Sequence, residues 1–172
     1  MKKIRITVIT RNSDYLQRLA NRLCEEKDMS LFSSIVINNF KSEMKQSIAF
    51  LEQTFLTQPD VLLLDQTILR DAAAIDVQQV LAYRDKFNST KFIIVGERYN
   101  EESVMAEIEA GVREIFRTAL GDEMLIKCIR AVAQGEIWLD APLVTRVFEE
   151  FIKEAIRRRD RLQPLAHLNF EK

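Results

Sequence analysis

Residues 59–65 read Pro-Asp-Val-Leu-Leu-Leu-Asp (PDVLLLD). Val61 to Leu64 form a short, fully apolar run, the pattern of a strand buried on both faces, and Asp65 stands at its C-terminal end. Pro59-Asp60 stops the segment before it, Lys41 to Thr57, where Met44, Ile48, Leu51 and Phe55 fall at the spacing of one helix face. Further upstream, Leu31 to Ile37 reads as a strand. Asn12, Ser13 and Asp14 supply capping side chains for a helical stripe through Leu16, Leu19, Leu23 and Cys24. Ile4 to Thr10 (IRITVIT) is a β-branched strand ending at a polar turn. Downstream the alternation continues. A helix is expected from Ile75 through Val77, Val80 and Leu81 to Phe87, and a strand at Lys91 to Val95 (KFIIV). A short helix follows at Glu101 to Ala110 with Gly111 as its stop, then a strand at Arg113 to Arg117 (REIFR). A helix over Asp122 to Gln134 closes on Gly135.

Strands that alternate with helices and carry near-continuous apolar runs imply a parallel sheet covered on both faces. With right-handed crossovers, the fold class is α/β, a five-stranded parallel doubly wound sandwich. Ligands of such sheets bind at the C-terminal ends of the strands. The positions to read are therefore Thr10, Arg11, Asp65, Gly96, Glu97, Arg117 and Thr118.

Beyond Gly135 the pattern changes. Pro142 suits the first turn of a helix. Leu143, Val144, Val147, Phe148, Phe151, Ile152, Ala155 and Ile156 then form an apolar stripe at three-and-four spacing, with Glu149, Glu150, Lys153 and Glu154 off it. The expected organisation is a domain over residues 1–140, a linker or dimerisation helix over 141–161, and a tail or linker over 162–172 that contains Pro164. Trp138 reads as a packing residue at the domain edge, with an anchor for the linker helix as its functional alternative.

Composition narrows the function classes. The 172 residues are 47% hydrophobic and carry 25 basic against 26 acidic side chains, a net charge of -1 that gives the chain as a whole no electrostatic footprint for nucleic acid. The basic cluster Arg157, Arg158, Arg159 and Arg161 reads as a solvated helix end. Cys24 and Cys128 sit in helical patterns among apolar residues, which fits a reduced, cytoplasmic protein better than a disulfide framework. Neither a signal peptide nor a membrane span is expected. His167 is the sole histidine, so no metal-ligand set is expected, and four glycines in all leave no nucleotide-binding loop. No Ser/His/Asp arrangement has credible spacing. The expectation is a non-enzymatic protein without a cofactor.

Several of these segments also match a known family. PDVLLLD resembles the strand that leads to the phosphorylated aspartate of bacterial response-regulator receivers. Gly111 to Leu120 (GVREIFRTAL) resembles the receivers' last strand and the turn after it. Ile129 to Leu139 (IRAVAQGEIWL) is similar to the end of the receiver in the NarL/FixJ class of transcription regulators, and VTRVFEEF resembles that class's linker helix. The resemblance runs from Ile4 to about Phe151, and it implies the same doubly wound sandwich, with Asp65 at the phosphoacceptor position.

The departures from the family are concentrated around that residue. Two adjacent acids hold Mg²⁺ in the family; Thr10 and Arg11 occupy their places here. Gly96 replaces the Ser or Thr that ends the fourth strand. Thr118 stands in the place of the Lys after the fifth strand; a shift of one residue would put Arg117 there, and neither is Lys. Gln66-Thr67-Ile68-Leu69-Arg70 replaces the usual proline-containing loop, with Leu69 at the proline place, and Ile115 replaces the aromatic that reports phosphorylation. Phosphoryl transfer to a carboxylate needs its charge neutralised, and Mg²⁺ needs several oxygen ligands. Asp65 alone is a weak site for it, and Arg11 should repel it. The implied reading is a relic phosphoacceptor, with Asp65 in an ion pair with Arg11 or Arg70.

In the class it resembles, the helix after residue 141 joins a receiver to a helix-turn-helix domain. The expectation is therefore a homodimer through Val144, Phe148, Phe151 and Ala155, an a/d-like row, with a stand-alone fold-back of the helix as the alternative. A further protein partner is also expected, helped by a stretch from Leu31 to Phe55 that is longer than in typical receivers. DNA contact would come only through a domain absent from this chain. Two competing functions remain open: a conventional receiver phosphorylated on Asp65, and a small-molecule sensor using the room that Thr10 and Gly96 leave at the strand ends.

Overall fold

The computed structural model describes residues 2–37, 58–70, 90–97, 114–138 and 141–166, and for residues 69, 70, 143 and 160–166 the backbone alone. The helices expected at Lys41–Thr57, Ile75–Phe87 and Glu101–Ala110, the stop at Gly111 and most of the long stretch after β2 lie outside the described residues.

Five strands, β1 (Ile4–Thr10), β2 (Met29–Val36), β3 (Val61–Asp65), β4 (Lys91–Gly96) and β5 (Ile115–Arg117), form one parallel sheet in the order β2-β1-β3-β4-β5. This is the flavodoxin-like doubly wound order, and the chain reverses direction between β1 and β3. That reversal opens the sheet at the C-terminal ends of those two strands, where Thr10 and Asp65 stand. The described helices are α1 (Ser13–Cys24), α2 (Gln66–Arg70), α3 (Asp122–Ala133) and α4 (Ala141–Ala166). Residues Met1–Trp138 and Leu139–Lys172 form two compact units.

The first unit has its core on the α1 and α3 side of the sheet. Ile6, Val8, Val61, Leu63, Ile93, Val95 and Phe116 meet Leu19 and Leu23 of α1 and Leu125, Ile126, Cys128, Ile129 and Val132 of α3. Cys24, by contrast, is exposed. Strand residues of the opposite parity, Ile9, Leu62, Leu64, Phe92, Ile94 and Ile115, are buried too, as in a sheet covered on both faces. Trp138 packs against the core, and its carbonyl accepts a hydrogen bond from the N–H of Ile115 at 3.4 Å.

Local chemistry sets the element ends. Asn12 caps α1, its Oδ1 accepting from the N–H of Tyr15 at 2.8 Å. Gly135, at φ +90°, takes the left-handed turn that ends α3, where its N–H reaches the carbonyl of Val132 at 2.9 Å. Three boundaries differ from the sequence reading. β2 begins at Met29 rather than Leu31, because Met29 and Ser30 already pair with Ile4 and Arg5; further on, Ile6 pairs with Leu31 while Thr7 pairs with Ser33, so Phe32 is an extra, bulged residue that shifts the alternation. β5 starts at Ile115 rather than Arg113; Glu114 precedes it, and its carbonyl accepts from the N–H of Ile94 at 3.0 Å. α4 continues past residue 161 and through Pro164 to Ala166. Pro164 falls in its last turn, where the missing N–H removes a single bond and no further turn has to follow.

Candidate functional site

Ile9 of β1 is opposite Leu64 of β3, so the next residues, Thr10 and Asp65, emerge together at the switch point. The Thr10 hydroxyl donates to Asp65 Oδ2 at 2.9 Å, and the backbone N–H of Arg11 donates to the same oxygen at 3.2 Å. Thr10 is 1% exposed, and its Oγ1 also accepts from the N–H of Asn12 at 3.1 Å. Oδ1 of Asp65 accepts from the N–H of Thr67 at 2.9 Å and from the Thr67 hydroxyl at 2.7 Å. Asp65 therefore acts as an N-cap for α2. Each carboxylate oxygen holds two donors, and the three chain segments β1–α1, β3 and α2 are clasped together through one side chain.

The expected ion pair of Arg11 with Asp65 takes a different form. Arg11 meets the carboxylate with its backbone N–H, on the oxygen that also accepts from the Thr10 hydroxyl. The side chain of Arg70 lies outside the described residues. A side chain at Gly96 would run into Gln66. Gln66 is 2% exposed, and a Cβ added at Gly96 would lie 2.5 Å from Gln66 Oε1 and 3.0 Å from Gln66 Cβ. In this chain the residue after the acceptor position seals the end of β4, and glycine is the residue that lets it.

At the end of β5, the Thr118 hydroxyl donates to the carbonyl of Gly96 at 3.4 Å. The bond ties the turn after β5 to the end of β4. Arg117 is opposite Gly96 in the sheet. Ile115 does not join this group: it is a buried β5 residue opposite Ile94, because its position faces into the sheet's hydrophobic layer rather than toward the strand ends.

An open cleft of about 950 Å³ remains above these residues, between the β1–α1 turn, Asp65 to Thr67, Val95 to Glu97 and Thr118-Ala119. Tyr15 and Arg18 of α1 line it as well. The Tyr15 hydroxyl is buried without a hydrogen-bond partner. Burial first, then the negative charge of Asp122, pushes its phenol well above the ordinary value, and Arg18 opposes the shift. Arg18 also pairs with Asp122 at 3.2 Å, tying α1 to the start of α3.

Sequence reasoning did not single out Tyr15, and it quoted Gln66 and Thr67 without giving them a role. Thr67 carried a signal: an Asp whose side chain bonds the backbone two residues on is a standard turn device. Gln66 carried none, since only the sheet brings it onto Gly96.

These residues do not fit Mg²⁺. Both oxygens of Asp65 are engaged, one neighbouring oxygen is a hydroxyl that donates to it, and no group of three or more His, Cys, Asp or Glu among the described residues could hold a metal. Among those residues, no helix is long and apolar enough to cross a membrane.

No known family profile matches the sequence. The chain is 28% identical over 98 residues to the oxygen regulatory protein NreC of Staphylococcus epidermidis, a match covering 57% of this chain and 44% of that protein. The chain thus spans less than half the length of the curated relatives it matches. Its structure superposes on a two-component response regulator of the LuxR family from Aurantimonas sp. SI85-9A1 with a TM-score of 0.66 at 12% identity, covering 88% of this chain and 99% of that one. It also superposes on the signal receiver domain of the response regulator NarL from Mycobacterium tuberculosis, with a TM-score of 0.63 at 17% identity over 79% of this chain and all of that domain. The chain has the fold of the bacterial response-regulator receivers.

The second unit presents a different chemistry. On α4, Phe148 is 64% and Phe151 71% exposed, and Val144, Ile152, Ala155 and Ile156 are exposed with them. The polar side is laced by local pairs: Lys153 with Glu150 at 2.6 Å and Arg158 with Glu154 at 3.2 Å.

Proposed function

We propose that the chain is a non-enzymatic signalling domain of an atypical cytosolic response regulator, and that its output passes through self-association and protein contacts rather than through an acyl phosphate on Asp65. The observation that carries this reading is the saturation of Asp65 by Thr10, Arg11 and Thr67. A carboxylate that attacks phosphorus needs a free lone pair and cations to neutralise the incoming oxygens. Here the lone pairs are occupied, and the places of the metal ligands, the hydroxyl and the Lys hold Thr10, Arg11, Gly96 and Thr118. The likeness to NreC and to a LuxR-family regulator supports a role in transcription control. Contact with DNA would then belong to residues outside this chain.

Incubation with acetyl phosphate and Mg²⁺, followed by intact-mass measurement, tests the proposal. The expected result is an unchanged mass. A phosphoryl adduct that disappears in Asp65→Asn would overturn it and restore the conventional receiver.

A small-molecule sensor is a second reading, favoured by the open cleft and the partnerless buried hydroxyl of Tyr15 beside it. A thermal-shift screen would support it through a hit that Tyr15→Phe abolishes.

A further inference from the structure

We draw no further inference here: the strongest candidate, the open cleft beside Tyr15 at the strand ends, belongs to the site already described, and the charges lining it, Arg11 and Arg18 against Asp14, Asp65 and Glu97, favour no one class of ligand.

Discussion

The ends of the strands and the face of α4 are opposites. At Asp65 both carboxylate oxygens and the Thr10 and Thr67 hydroxyls find partners inside the fold. On α4 the largest apolar side chains find none: Phe148 and Phe151 are 64% and 71% exposed. A carboxylate whose two oxygens are both satisfied internally has little left with which to react, since any new bond must displace an existing one at about its full worth. An apolar face in water is under the reverse pressure, because burial of each large side chain contributes about 1.5–3 kcal/mol. On the function proposed above, Asp65 is a structural residue and α4 is the surface that associates.

The contrast can be broken from either side, and the largest effect is expected at α4. Replacing Phe148 and Phe151 together by Ala removes about 3–6 kcal/mol of association energy, so self-association measured by sedimentation equilibrium should weaken by more than about a hundredfold. Thermal unfolding of the sandwich, followed by Trp138 fluorescence at low concentration, should not move. A parallel loss of sandwich stability would mean that the two phenylalanines serve the fold instead.

Asp65→Ala is next. It strands the Thr10 and Thr67 hydroxyls and two backbone N–H groups, and should destabilise the chain by about 2–4 kcal/mol in urea unfolding. In a receiver whose Asp65 served only as a nucleophile, the same change would be close to neutral. Gly96→Ser should cost about 1–3 kcal/mol, because its Cβ would meet Gln66 Oε1 at 2.5 Å. Adding Gln66→Ala should recover part of that loss. Additive effects in the double variant would show that Gln66 does not seal the end of β4.

The smallest effect concerns a surface cluster remote from both regions. Arg130 donates to Asp28 at 2.8 and 3.0 Å and to Glu26 at 2.5 Å. The Arg130 guanidinium holds the Asp28 carboxyl below its ordinary value. A depressed carboxyl stabilises the fold above its unfolded value and loses that contribution as pH falls through the lower, folded value. Asp28→Asn should therefore reduce stability at neutral pH by no more than about 1 kcal/mol, given the solvent around the pair. The difference from the unmodified chain should vanish in strong acid. A difference that persisted there would assign the effect to packing.

Much of this was legible in the chain. The runs Ile4–Thr10, Val61–Leu64 and Lys91–Val95 were readable as strands because a buried parallel strand needs continuous apolar residues. Helix α3 was readable between its apolar stripe and Gly135, and the placement of Asp65 at a strand end followed from the same reading. Boundaries were less secure where a local feature has no composition of its own. Nothing in Met29 to Val36 marks Phe32 as a bulge, since the shift exists only in its pairing with β1. Likewise Pro164 reads as a stop, yet in the last turn of α4 it removes too little to end the helix.

The sequence by itself determined the alternation of elements, the parallel sheet and the placing of Asp65 at a strand end, because periodicity and residue identity are properties of the chain. Tertiary structure alone decided what fills those places. Thr10 became a donor to Asp65, Arg11 met it through its backbone, and Gln66 closed the space over Gly96, because each contact joins segments from different strands. Their distances exist only once the sheet brings the ends of β1, β3 and β4 side by side.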